Sequence, residues 1–252
     1  MAPRSQTAAS RTLAFVLHVW PYSESSLIAE LLTRDQGRVV ALGKGARRPR
    51  SGVRPLLRPF APVTCKLVGK SEVQVLSGLE WAGSMGVLEG ERLLSGMYIN
   101  ELVLGLLPRR DPHPEVFDHY VDALAGLAAP GATDATIRRF EYRLMRDLGY
   151  MPVPDASVLA DASPNAPWSL DEHEGWRMLP AGPGELLTQD FVALLADNFG
   201  DSARNRRLQT VLRRVIDHAR AGCGARSRQA WQEFSRLRAK ATPVTLSERG
   251  AA

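Results

Sequence analysis

Cysteine is nearly absent from this 252-residue chain: Cys65 and Cys223 are the only two, and neither has a second cysteine or a histidine beside it at metal-ligand spacing. A disulfide scaffold and a zinc knuckle are therefore not expected, and two structural thiols suit a cytoplasmic protein. No run of eighteen apolar residues occurs, and the first eleven residues, MAPRSQTAASR, lack the apolar stretch of a signal peptide. Membrane insertion and secretion are not expected. Catalytic equipment is equally sparse. GKGARRP has glycine and lysine but neither the spacing nor the Ser/Thr of a phosphate-cradling Walker loop, and no Ser/His/Asp arrangement stands out. A nuclease needs carboxylates converging on Mg²⁺. Asp155, Asp161, Asp171, Glu172 and Glu174 are the only cluster that offers them, with no rigid element to hold them together. No catalytic residue, metal ligand or cofactor is assigned.

The most informative absence is of acid between Gly43 and Phe60. GKGARRPRSGVRPLLRPF carries Lys44, Arg47, Arg48, Arg50, Arg54 and Arg58 without one carboxylate. The whole chain has 32 Lys and Arg against 27 Asp and Glu, a net +5, so these eighteen residues hold more than the entire excess. The rest is polarised too. Residues 203–240 have eleven basic and two acidic side chains, and residues 61–202 have ten basic and twenty-one acidic. Separated blocks of one sign are the electrostatic footprint of a polyanion, nucleic acid being the commonest; the alternative is a solvated loop and a solvated helix face.

Short runs with β-like content come first: Leu13–Trp20, Ser26–Thr33, Arg38–Leu42, Val63–Gly69 and Glu72–Glu80. Five such strands predict a small barrel or sandwich. RDQG, ending at Gly37, predicts a hairpin between the second and third. The basic stretch falls between the third and fourth, and Pro49, Gly52, Pro55 and Pro59 exclude helix and interior strand, leaving a loop with its charges outside. From Leu93 the period becomes helical. One helix ends by Pro108, and others span Pro114–Ala128, Thr133–Leu148, Thr188–Asn198, Ala203–Ala221 and Ser227–Ala239. Tyr150–Pro183, rich in Pro, Asp, Ser and Gly, reads as a loop-like insertion anchored by Trp168 and Trp176.

On Ala203–Ala221, Leu208, Val211, Leu212, Val215, Ile216 and Ala219 make the apolar face. Arg206, Arg213 and Arg220, seven apart, line one flank, with Arg207 and Arg214 on the other. Such rows suit a phosphate backbone, although an arginine-rich surface helix produces them by chance as well.

Taken in order, AFVLHVWPYSESSLIAELLTRDQGRV, KGARRPRS with LLRPF, LLSGMYINELVLGLLPRRDPHPEVFDHYVDAL and RRFEYRLMRDLGY, with a fainter GCGARSRQAWQEF, resemble the bacterial RecO DNA repair family from Ala14 to about Arg238. The resemblance implies an α+β protein: a five-stranded OB-fold barrel followed by an α-helical domain with a loop-rich insertion. The expected boundaries are a disordered 1–11, a DNA-binding barrel over 12–82, a helical domain over 83–240 with its insertion at 150–185, and a disordered 241–252. It also implies binding of single- and double-stranded DNA, annealing of complementary strands, contact with the C-terminal tail of single-stranded-DNA-binding protein, and action with RecR in loading RecA. A cytoplasmic, nucleoid-associated location follows. Many relatives carry a four-cysteine zinc motif after LGY, but residues 150–183 here have no cysteine and only His173, so no zinc is expected and Trp168 and Trp176 would supply the contacts.

Within this frame the loop cations Lys44, Arg47, Arg48, Arg50, Arg54 and Arg58 reach phosphates without reading bases, unless Arg54 and Arg58 merely pair with nearby acids. Among aromatics, Phe60 reads as core. Trp20 and Tyr22 can stack on bases, Tyr22, in a turn beside Pro21, being the better candidate. Arg206, Arg213 and Arg220 extend the phosphate-binding set. On Thr133–Leu148, with Ile137, Phe140, Leu144 and Leu148 buried, Arg138 and Tyr142 share a second face and, with Arg139, offer a guanidinium beside an apolar groove for the partner's acidic tail. Two rivals remain open: a protein-interaction adaptor whose DNA contact is incidental, and an RNA-binding OB protein, which charge alone does not separate from a DNA binder.

Overall fold

The computed structural model describes residues 11–83, 86–131, 133–171 and 174–221. The expected Ser227–Ala239 helix, Cys223, His173 and the expected disordered ends, Arg11 aside, lie outside them.

Alternating small and β-branched residues produce β1 (Thr12–Tyr22), β2 (Ser26–Thr33), β3 (Gly37–Gly43), β4 (Pro62–Val68) and β5 (Val73–Trp81). They close into a barrel of order β1-β2-β3-β5-β4, with β3 and β5 parallel and the other pairs antiparallel, which is the five-stranded OB arrangement. Gly37 opens β3 at φ +65°, and a Cβ there would sit 2.1 Å from the Asp111 carbonyl oxygen, so only glycine admits both the turn and the crossing chain. The barrel interior is filled by Ala14, Val16, Ala29, Leu31, Val39, Ala41, Val63, Cys65 and Leu67. Burial pushes the Cys65 thiol up to about 11, which leaves it inert at neutral pH.

The helical part comprises α1 (Gly90–Leu106), α2 (Pro114–Ala128), α3 (Thr133–Asp147), α4 (Ala156–Asp161), α5 (Thr188–Leu195) and α6 (Ser202–Ala221). α3 packs against α1, α2 and α6. Where a loop-like insertion is expected, the chain instead forms an antiparallel sheet of β6 (Pro167–Asp171), β7 (Gly175–Met178) and β8 (Leu186–Leu187), in the order β7-β6-β8. Its core is the ring of Phe191, with Trp168 edge-on at 5.6 Å and Trp176 at 4.8 Å.

Barrel and helices share a core. Phe15, Leu17 and Leu32 face out of the barrel into the helical cluster, and the Phe15 ring meets Phe117 at 5.7 Å and Tyr120 at 5.5 Å. Burying one such side chain stabilises by about 1.5–3 kcal/mol. Asn100 Nδ2 donates to the Leu17 carbonyl at 2.8 Å and its Oδ1 accepts from Tyr120 Oη at 2.7 Å, so no amide is stranded at the junction. Beside it the buried Glu30 carboxylate takes Arg38 and Arg109, each at 3.1 Å. Among the described residues no helix is long and apolar enough to cross a membrane.

Candidate nucleic-acid interface

The basic loop, residues 44–61, is folded from within by its few apolar members. Ala46 and Leu57 are buried in the barrel core, with Val53 and Leu56 packed against it. Pro55 sets a single 3-10 turn over Arg54–Leu56. Phe60 N donates to the Val16 carbonyl at 2.8 Å and Val16 N to that of Ala61 at 3.2 Å, which sews the end of the loop onto β1. Phe60 itself, at φ +68°, packs against the helical core, as expected. The apolar residues go in, and the cations are left outside.

All six, Lys44, Arg47, Arg48, Arg50, Arg54 and Arg58, are exposed. Among the described residues none of them forms an ion pair; in particular Arg54 and Arg58 do not pair with acids. Arg58 lies 5.4 Å from the centre of the Trp81 ring, and Arg47 Nη1 donates to the Ser23 carbonyl at 2.6 Å, contacts that orient a guanidinium without neutralising it. Arg47 N also donates to the Ser25 carbonyl at 2.9 Å. The loop is thereby bound to the β1–β2 hairpin, whose Tyr22 is 52% exposed. Tyr22 is the last residue of β1, opposite Ser26, rather than part of the turn.

Helix α6 differs from expectation. Arg206 and Arg213 are exposed and without an ion pair among the described residues, but Arg220 is buried at 5% exposure. Seven residues are slightly less than two helical turns, so a row spaced by sevens drifts around the helix. By Arg220 it has reached α1, where the guanidinium packs against Gly105, 3.4 Å from where a Cβ would stand, near Glu101. The opposite flank is used for construction. Arg207 grips Asp190 through two bonds of 2.9 and 2.6 Å, and Arg214 holds Glu185 at 2.7 Å and the Leu170 carbonyl at 2.9 Å.

The expected groove around Arg138 and Tyr142 also requires correction. Both are buried at 2% exposure. Arg138 pairs with Glu141, itself buried and bonded to Tyr98 Oη, and Asp134 lies 3.6 Å away; Tyr142 packs its ring against Phe199 at 6.1 Å. α3 is enclosed by three helices, so the face opposite its apolar stripe is covered as well. Only Arg139 of the three is accessible. It lies 5.6 Å from the Phe199 ring centre and 3.3 Å from Asp197. One turn on, Arg143 bonds Asp197 at 3.0 Å and Asp122 at 3.2 Å. Between them a shallow cleft of about 30 Å³ is lined by His119, Asp122, Ala123, Gly126, Thr136 and Phe140. Arg143 escaped the sequence reading, although its i,i+4 spacing from Arg139 was visible.

The residues present do not fit a zinc ion: 150–185 contain no cysteine, and among the described residues no group of three or more His, Cys, Asp or Glu side chains is placed to hold a metal ion. Asp171, in the acid-rich stretch, accepts a bond from Glu174 N, and Glu174 pairs with Arg177.

Two family models match the chain: Recombination protein O N terminal over residues 8–85 and Recombination protein O C terminal over residues 88–178. Among curated relatives, a protein of Laribacter hongkongensis named DNA repair protein RecO is 37% identical over 228 residues, covering 89% of this chain and 94% of its own length. Proteins of the same name from Ralstonia nicotianae and Dechloromonas aromatica are 34% and 35% identical, covering 94% and 89% of this chain and 89% and 96% of their own.

Proposed function

The chain belongs to the recombination protein O family of DNA repair proteins, and on that premise we propose that it is a non-catalytic recombination mediator that binds single- and double-stranded DNA and anneals complementary strands. The observation that carries this reading is the loop of six exposed cations with no carboxylate partner among the described residues. Each phosphate such a loop neutralises releases counterions whatever the base sequence, so binding is sequence-tolerant and weakens with salt. Annealing then needs no bond chemistry. Cations that hold two strands together screen their mutual repulsion, and base pairing completes the reaction.

With RecR, the protein would help load RecA onto DNA coated by single-stranded-DNA-binding protein. For the acidic tail of that protein the candidate groups are Arg139 and Arg143 above the Phe140 cleft, where a tail carboxylate would compete with Asp197 and Asp122 for the two guanidiniums. The family's location, cytoplasmic and nucleoid-associated, belongs to the same proposal.

The test is a titration of labelled single-stranded and duplex oligonucleotides, with an annealing assay, on wild type and Arg47→Glu/Arg48→Glu. Loss of binding and annealing together is expected. Unchanged affinity and annealing would remove the loop from the mechanism and favour an adaptor role. For the tail, Arg139→Ala is expected to weaken binding of the acidic peptide, and wild-type affinity in that variant would show the cleft to be misplaced.

A further inference from the structure

The end of α6 stands beside the acid-rich stretch, and a basic sequence begins there. Residues 150–185 hold Asp155, Asp161, Asp171, Glu172, Glu174 and Glu185 against Arg177 alone. Residues 222–240, which follow α6 directly, hold Arg226, Arg228, Arg236, Arg238 and Lys240 against Glu233 alone. Two clefts adjoin the helix end. The first, of about 240 Å³, is walled by Tyr150, Leu170, Val215 and His218, the last of these three residues before the end of α6. Arg214, also in that wall, is already held by Glu185. The second, of about 260 Å³, is walled by Pro154, Val158, Trp168 and Trp176 and rimmed by Asp155 and Glu174. Pro152 and Gly175 line both clefts and touch, so that a Cβ on Gly175 would stand 3.4 Å from Pro152 Cγ. Each cleft leaves apolar surface bare: Tyr150 is 42% exposed and Val158 44%. The rim charge is also uncommitted. Asp155 precedes α4 without capping it and has no ion pair among the described residues, and Glu174 pairs with Arg177 at 3.1 Å in solvent, where a second cation can share it.

We propose that residues 222–240 dock across these two clefts, with Arg226 and Arg228 on the Asp155–Glu174 rim, so that the acid-rich stretch holds cations that DNA would otherwise take. Three features select this occupant. Its charge is the complement of the stretch, six acids and one base facing five bases and one acid. Its starting point is the wall of the first cleft, and five extended residues span about 17 Å, so the chain passes that cleft before Arg226 and Arg228 reach the second. Its apolar residues Ala230, Trp231, Phe234 and Leu237 recur at helical spacing, a face that requires cover, and Tyr150 and Val158 offer the matching surface. The contacts need only be weak one by one, because a segment tethered to its site meets it at a millimolar effective concentration. Docked, its cations are compensated in the way that those of the basic loop are not, and phosphates compete with carboxylates for them. That competition rests on the reading of the protein as a DNA binder; the docking itself does not.

The experiment is limited trypsin digestion of the full chain, read by mass spectrometry as the rate of cleavage after Arg226 and Arg228, beside a synthetic peptide of residues 222–240 digested alone. At low salt the segment in wild type is expected to be cut about tenfold more slowly than the free peptide, and the gap should narrow as salt rises. Asp155→Asn/Glu174→Gln and, separately, Val158→Ser change exposed side chains and should speed cleavage of the segment about fivefold, while cleavage after Lys44 and Arg50 in the loop, which reports on the rest of the fold, stays unchanged. The charge variant should also bind a labelled oligothymidylate about twofold more tightly at low salt. A wild-type segment cut as fast as the free peptide, or a rate unmoved in both variants, would overturn the docking. Protection that grows with protein concentration would put the segment in the clefts of a neighbouring copy and overturn docking within one chain. Faster cleavage with no gain in DNA affinity would overturn the competition, whereas a wild-type protein that binds no DNA at all would overturn the functional reading and leave the digestion result standing.

Discussion

Residues 44–61 and helix α6 each carry six cations, on eighteen and twenty residues respectively. In the loop all six stay exposed and, among the described residues, without a carboxylate partner. In the helix Arg204 and Arg207 converge on Asp190, Arg214 holds Glu185, Arg220 is buried against α1, and Arg206 and Arg213 are exposed with no ion pair among the described residues. The difference does not lie in composition. In the loop, which plugs the barrel with Ala46 and Leu57, no cation is paired with an acid among the described residues. A helix laid across α1, α3 and β8 brings its arginines within reach of the acids there. A cationic stretch acts as a footprint for polyanions only where the fold leaves its charge uncompensated.

The largest test of this contrast is on the helix side. Asp190 is 1% exposed, accepts both arms of Arg207, and also accepts the Leu187 N–H at the start of α5. Asp190→Ala strands two guanidiniums and is expected to destabilise by about 3 kcal/mol, read as a drop in the thermal midpoint, whereas Arg47→Ala should leave that midpoint unchanged. On the loop side, Arg47→Glu/Arg48→Glu should weaken single-strand binding about 100-fold at low salt without loss of stability. The corresponding change on the helix, Arg206→Ala/Arg213→Ala, should reduce DNA affinity only about two- to threefold. A loss as large as the loop's would break the contrast and place the two stretches in one groove.

A smaller effect concerns Glu101, whose carboxyl is held above the ordinary glutamate range by burial, with Arg220 only partly offsetting it. A carboxyl raised on folding favours the folded state while it is protonated, and that advantage is lost as pH rises through the folded value. Glu101→Gln should therefore gain stability over wild type above the usual glutamate range, and the gap should close in more acid solution. Smallest is Glu24, the one acid in the hairpin turn beside Arg47. Glu24→Gln should raise single-strand affinity about twofold at low salt and not at all at high salt.

The barrel was legible because small side chains pointing inward alternate with larger ones, and the loop because four Pro and Gly residues leave no other structure. The β6-β7-β8 sheet was not. Its inward pair Trp168 and Leu170 is only two alternations long and lies among turn-forming residues. Arg138, Tyr142 and Arg220 were misplaced for a common reason. The 3.6-residue period reveals one buried stripe but not how many neighbours a helix has, and a buried arginine opposite a buried glutamate looks in sequence like an exposed ion pair. The outer row of β1 was partly readable: HVWPY shows the period-two aromatics, but the bulge between Val16 and His18 that turns them away from both cores is visible only in the register.

The salt dependence of single-strand binding tests the central claim most directly, because it counts phosphates in contact with uncompensated cations. Six such contacts give a slope of log affinity against log salt of about −4, and replacing Arg47, Arg48, Arg50 and Arg54 with alanine should make it shallower by about 2.8. A slope that stays at the wild-type value in that variant would contradict the account.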